Sequence, residues 1–284
     1  MDSIENVRPS PIAGQWYTAD PRRLAAQVDQ YIHNAKLPEM AGRIVAIMAP
    51  HAGHRYSGPV AGYAFAALHN LKPEIIAVVS PMHYPYAEPL LTTAHHAYAT
   101  PLGTIPVDLD ALERLDQQLT KEIGLGLSRV SNDPEHSLEI ELPFLQRALE
   151  NPFTLIPVMV RDQSEALAQK LGRALASILS ERNALLVAST DLSHFYTQTT
   201  ANKLDTEMLR QVEAFDPHGV LQTEEQGKGF ACGRGALASV MWAARFLGAD
   251  RAKVLNYATS GDVTGDFNQV VGYGAAVFTA SIVN

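Results

Sequence analysis

The sequence predicts an α/β fold: one three-layer domain over residues 1–284, with a central mixed or mostly parallel sheet flanked by helices. Two observations carry this reading. Short runs rich in Val and Ile are almost continuously apolar, the pattern of strands buried on both faces. Segments with helical spacing lie between them, as in a sheet covered by helices.

Taken in chain order, the first helix opens at Asp20-Pro21, a cap followed by a first-turn proline, with Leu24, Val28 and Tyr31 on one face. Strands follow at Ile44 to Met48 and Ile75 to Val79. From Tyr84 to Gly103 no period is sustained and no element is predicted. Pro143 interrupts Ser137 to Leu149, so a helix there is kinked or starts late. The strand Thr154 to Val160 leads into a helix over Asp162 to Ser180, where Leu167, Leu171, Leu175 and Leu179 recur at every fourth position. Ala184 to Ala188 is the next strand. After Cys232, GRGALASVMWAARFLG reads as a helix closed by Gly248, and Val270 to Phe278 is the last strand.

Composition narrows the function. Apolar residues make up 46% and charged ones 18%, ample for a packed core. The 22 basic and 30 acidic side chains leave a charge of −8, and no Lys/Arg cluster marks a nucleic-acid or anionic-membrane surface. The expected partners are therefore small molecules or proteins. MDSIENVRPSPIAG lacks the basic start and apolar run of a signal peptide, and no stretch reaches the ~18–20 apolar residues of a membrane span. The chain has 1 cysteine and so no internal disulfide, which fits a reducing, cytoplasmic location.

Position singles out the candidate residues. IVAIMAPHAGH puts His51 and His54 just past one strand, IIAVVSPMH puts His83 past the next, and LLVASTDLSH puts Asp191 and His194 past a third. Ligands of open α/β sheets bind in the crevice at the carboxyl ends of strands. One histidine after a strand is ordinarily a cap or a core-edge residue; the same placement three times points to a shared pocket. Cys232, in FACGRGA at a helix start, suits a metal ligand or a nucleophile, since unpaired N–H groups favour a thiolate there. Its glycines, Gly233 and Gly235, imply close backbone approach. DPEHSLEIELPF adds Glu135, His136, Glu139 and Glu141, while Asp262 and Asp266 read as turn residues.

Together these segments resemble the Memo family, also called the B component of the AmmeMemoRadiSam system. The matching stretches are RPSPIAGQWYTAD, APHAGHRYSGPVAG, SPMHYPY, ATPLGTIPVD, EHSLEIELPFLQ, VASTDLSHFY, ACGRGA and NYATSGDVTGDFNQVVGYGAAVF, in family order from residue 8 to about 278. The resemblance implies a fold like that of class III extradiol dioxygenases, which hold Fe(II) by two histidines and a glutamate. In the Memo family two histidines and a cysteine stand there, which fall on His51, His83 and Cys232. It further implies His194 as general acid/base for a substrate hydroxyl, Asp191 as the residue that orients a ring or a ligand, and Trp16 as a pocket wall; His136 is the further catalytic candidate, and His54 and Glu135 are expected to line the pocket. Fe(II) is the expected ion, with copper or zinc able to occupy such a set. Met82-His83-Tyr84 departs from the family's SHH, and His54 stands where a tyrosine is common.

Three functions follow. The first is a dioxygenase-like, non-haem iron oxidoreductase acting on a small hydroxylated substrate. The second is a non-catalytic or redox-signalling protein that binds a peptide or protein partner in the crevice. The third is metal-free chemistry with Cys232 as nucleophile, His194 as base and Asp191 as orienter. The resemblance also implies a functional link to the A component and a radical SAM protein.

Overall fold

The structure, a computed structural model, describes residues 5–281. Its strands are β1 (Val7–Arg8), β2 (Arg43–Ala49), β3 (Ile75–Pro81), β4 (Leu90–Thr93), β5 (Ala97–Thr100), β6 (Gly103–Pro106), β7 (Ser128–Val130), β8 (Thr154–Val160), β9 (Ala184–Ser189), β10 (His194–Tyr196), β11 (Arg251–Thr259) and β12 (Val270–Ala280). The helices are α1 (Pro21–Asn34), α2 (His54–Ala66), α3 (Leu109–Ile123), α4 (Leu142–Ala148), α5 (Glu165–Leu179), α6 (Gln198–Glu213), α7 (Pro217–Glu225), α8 (Arg234–Phe246) and the short α9 (Gly261–Thr264).

The five predicted strands are β2, β3, β8, β9 and β12. Four of them form the parallel centre of a nine-stranded sheet, in the order β2-β9-β3-β8. Every residue of β3 is buried, as its continuous apolar run requires. The flanks are antiparallel: β12 on β2, β11 on β12, and β4 on β8. The sheet is thus mixed. One helical group, α1, α2 and α4, packs together and lays α2 on β2, β11 and β12. In the other, α8 lies on β2, β3, β8 and β9, α5 and α7 pack against it and α3 against α5, while α6 bridges α7 to β11 and β12.

Local chemistry accounts for the element ends. Asp20 caps α1 by accepting from the N–H groups of Arg22 and Arg23, and Leu24 and Val28 are buried beneath. Pro143 sits in the first turn of α4, which starts late after a 3-10 turn over Glu139–Glu141. The segment without a predicted element supplies β4, β5 and the start of β6, and β1-β5-β6 form a separate small sheet. Helix α2 was hidden by Gly58, Pro59 and Gly62. A Cβ on either glycine would lie 2.4 Å from Tyr31 atoms, so these glycines let α1 and α2 meet closely.

Candidate metal centre

Parallel pairing brings the carboxyl ends of β2, β3 and β9 to one edge of the sheet. His51, His83 and Asp191 follow those ends directly, and Cys232 just precedes α8. His136 arrives from the loop before the 3-10 turn. Among the described residues, ligand atoms of His51, His83 and His136 all lie within 4.8 Å of one another and could hold a metal ion. Cys232 adjoins them, its Sγ 3.1 Å from His51 Nε2.

Glu135 organises two of the histidines. It has almost no exposed surface; its Oε2 accepts from the His83 N–H at 2.6 Å, and its Oε1 accepts from the N–H groups of His136 and Ser137, both at 2.9 Å. The same Oε1 lies 3.0 Å from His83 Nδ1 and 3.2 Å from His136 Nδ1. Burial would raise its pKa, but the hydrogen bond from His83 and the two imidazoles outweigh burial and hold it at about 2. An ionised Glu135 accepts from His83 Nδ1–H, which turns the lone pair of Nε2 outward. That is the carboxylate–histidine arrangement of metal sites.

Asp191 plays the matching part for the other wall. Its Oδ1 accepts from the N–H groups of His51 at 2.8 Å and Ala52 at 3.3 Å, while its own N–H points at Cys232 Sγ, 3.3 Å away. Burial raises its pKa to about 7 against those backbone hydrogen bonds. Burial likewise lowers His51 well below the usual imidazole value, helped by His136, His83 and His194. His136 and His194 are both lowered to about 4, by burial first and then by charge at His83, with Glu135 opposing it at His136. All three are neutral at pH 7, the state in which imidazole binds metal.

A cavity of about 640 Å³ opens beside the cluster, lined by Trp16, Tyr56, Phe195, Val271 and Tyr273 with Gln15, Ser260, Asp266 and Gln269. Trp16 joins the two, stacking on His136 at 3.9 Å between ring centroids. Phe195, next to His194, is 70% exposed and holds φ at 62°, a conformation that costs a bulky residue roughly 1–3 kcal/mol.

The family model described as Memo-like protein matches residues 8–277. The chain belongs to the Memo-like family. A MEMO1 family protein of Nitrosopumilus maritimus is 33% identical over 276 residues, covering 96% of this chain and 99% of its own. That of Methanopyrus kandleri is 33% identical over 288 residues, covering 95% and 98%. A solved structure, uncharacterized protein JW3007 from Escherichia coli K12, overlaps 83% of this chain and 100% of its own at a TM-score of 0.46 and 14% identity, too distant to bear on chemistry.

Within this Memo-like chain the candidate residues divide. His51, His83, His136, Asp191 and Cys232 meet at the centre, Glu135 braces it, and Trp16 walls the cavity. His194 stands near enough for charge on His83 to lower it. His54 is engaged elsewhere: Nε2 is 3.0 Å from the Ile140 carbonyl, and the ring packs on Tyr17 and Phe144. It is a core residue. At Cys232 burial, then the charge of Asp191, push the thiol well up, against the lowering that a helix start would give. Gly233 and Gly235 are tight as expected, a Cβ falling 2.6 Å from the Ser189 carbonyl oxygen at one and 2.8 Å from Gln163 Cα at the other. Asp262 closes a turn on the Thr259 N–H, whereas Asp266 reaches the cavity.

Sequence reading missed Ser189, whose hydroxyl lies 3.0 Å from His51 Nδ1. A serine ending an apolar strand, two residues before Asp191, was its only signal. It also missed Tyr56, Phe195 and Tyr273, aromatics that reach one cavity from three separate elements.

Proposed function

We propose that this Memo-like chain is a metal-dependent, dioxygenase-like oxidoreductase acting on a small hydroxylated substrate, with Fe(II) as its ion. The observation that carries the proposal is the set of imidazoles meeting at one edge of the sheet, with Nδ1 of His51 tied to Ser189 and Nδ1 of His83 tied to Glu135. Their Nε2 lone pairs are left for a cation.

His51, His83 and Cys232 are the ligands we assign. Distance admits His136, but direction does not favour it. The rings of His83 and His136 are stacked, 4.8 Å between centroids and 14° between planes, so an ion in the plane of one lies out of the plane of the other. His51 stands edge-on to His83 at 80°, and Cys232 Sγ lies on its Nε2 side. Bound Fe(II) would supply Lewis acidity and a site for O₂. A cation would also favour the Cys232 thiolate over the thiol.

The remaining residues handle the substrate. His194, neutral at pH 7, is free to accept the proton of a substrate hydroxyl, and Asp191 fixes the His51 backbone. His136, stacked between Trp16 and His83, offers a second imidazole behind the Trp16 wall of the cavity. The aromatic walls suit a ring or another planar group, and the amides, hydroxyl and carboxylate offer partners for its polar substituents.

Metal-free Cys/His catalysis has one feature in its favour, the Cys232–His51 contact at 3.1 Å. Burial opposes it, raising the thiol and lowering the imidazole, both against the thiolate–imidazolium pair that such catalysis uses. A purely binding role for a peptide would use the same cavity without turnover. Anaerobic purification with metal analysis separates the three. Near-stoichiometric iron that is lost in His51→Ala and Cys232→Ser, kept in His136→Ala, and accompanied by O₂ consumption with a catechol or enediol supports the proposal. Bound metal with no O₂ consumption across such a panel points to the binding role. No metal together with rapid alkylation of Cys232 overturns the proposal.

A further inference from the structure

Ser189 ends β9 with a hydroxyl that meets three partners. The Ser137 carbonyl oxygen is 2.6 Å away, Glu141 Oε1 2.7 Å and His51 Nδ1 3.0 Å. A hydroxyl has one hydrogen to give and two lone pairs. The carbonyl can only accept, so the hydrogen of Ser189 belongs there, and the other two contacts must each bring a hydrogen to Ser189 Oγ. His51 brings one as Nδ1–H. Glu141 brings one only as a carboxylic acid. Were it ionised, two acceptor oxygens at 2.6 and 2.7 Å would compete for a single hydrogen, leaving one contact lone pair against lone pair.

The surroundings of Glu141 agree with the hydrogen count. The side chain has no exposed surface, and its Oε2 is buried without a hydrogen-bond partner among the described residues. The groups acting on its charge are the Ser189 hydroxyl and a second acid, Asp191. An ionised carboxylate would be left with an empty oxygen beside another acid, far from water. Burial raises its pKa well above the carboxylate range, Asp191 adding to the shift and Ser189 opposing it.

We propose that Glu141 is a protonated positioning residue that, through Ser189, holds His51 as its Nδ1–H tautomer and so presents the Nε2 lone pair to the metal centre. The step from tautomer to metal affinity rests on His51 being a ligand, as assigned above. The alternative, Ser189 donating to His51 Nδ1, would put the imidazole hydrogen on Nε2 and block that nitrogen. It would also leave the Ser137 carbonyl, 2.6 Å from Ser189 Oγ, without its hydrogen.

The test uses the full chain, first without metal. At pH 7, the infrared difference between wild type and Glu141→Gln should show a carboxylic-acid carbonyl band that shifts with ¹³C-glutamate labelling. Long-range ¹H–¹⁵N correlation should show His51 as the Nδ1–H tautomer in wild type and in Glu141→Gln, whose amide N–H can still donate to Ser189. Glu141→Leu should populate both tautomers. In anaerobic Fe(II) titrations, Glu141→Leu should bind about tenfold more weakly and Glu141→Gln close to wild type. Absence of the acid band, or an Nε2–H tautomer in wild type, overturns the proposal. If the leucine variant does not fold, the glutamine variant and the wild-type spectra decide. Wild type that binds no Fe(II) while both spectroscopic results hold overturns the metal assignment and leaves the role of Glu141 standing.

Discussion

Glu135 carries more of the centre than any other single side chain, since one carboxylate fixes both backbone and ring of His83 and the backbone of His136. Replacing Glu135 with Gln turns an acceptor-only group into one that presents N–H to the His83 N–H. We expect Fe(II) affinity to fall about 10–100-fold, measured by anaerobic titration, with little change in far-UV circular dichroism. The histidines give a prediction for the metal-free protein. His136 and His194 fall from 6.5 unfolded to about 4 folded, so between those values the unfolded chain binds more protons. Their contribution to stability is complete above pH 6.5 and is lost as pH falls toward 4. Thermal melts should therefore drop over that window, and less steeply in His136→Asn. An equal slope in the variant would remove His136 from this account.

At the scale of elements, the approach of α8 to β9 decides where Cys232 sits. The Gly233 N–H donates to Thr190 Oγ1 at 2.9 Å, and its Cα lies too close to the Ser189 carbonyl for a side chain. Gly233→Ala should destabilise the fold by about 1–3 kcal/mol in urea melts and displace Cys232, lowering metal content together with stability. Asp20→Ala, by contrast, removes only a cap of α1 and should cost about 1 kcal/mol while leaving metal content intact. Comparing the two separates loss of a helix end from loss of the centre. The elements that sequence patterning found were those whose burial shows in composition, such as β3 and β8. Helix α2 escaped because Gly58, Pro59 and Gly62 disfavour helix locally. Contact with Tyr31 requires small residues at Gly58 and Gly62, and packing overrides propensity there.

Across the whole molecule, the small β1-β5-β6 sheet is tied to the centre by a buried ion network. Arg8 bonds Asp133 through Nε at 3.0 Å and Nη2 at 2.9 Å, reaches Glu139 at 2.6 Å, and donates to the Glu135 carbonyl at 2.9 Å. Tyr17 and Ser10 complete the shell of Glu139. Arg8→Met leaves two buried carboxylates without their cation and should cost about 3–5 kcal/mol in urea melts. Because the network anchors the Glu135 loop, metal affinity of the folded fraction should fall as well. Unchanged affinity would show that the loop holds itself.

The sequence by itself determined the α/β class, the five principal strands and, through long motifs, Memo-like membership, and it pointed to the loops that carry the candidate residues. These features are written in local apolar runs and in residues that follow strand ends, and a parallel sheet gathers strand ends on one edge. Only the tertiary structure decided which histidines meet. His54 lies three residues after His51 yet serves the core, while His136 crosses from a distant loop to stack between Trp16 and His83. It alone gave Glu135, Ser189 and Glu141 their parts. Which nitrogen of an imidazole is free, and whether a buried acid keeps its proton, depends on partners within about 3 Å, a distance that sequence separation does not encode.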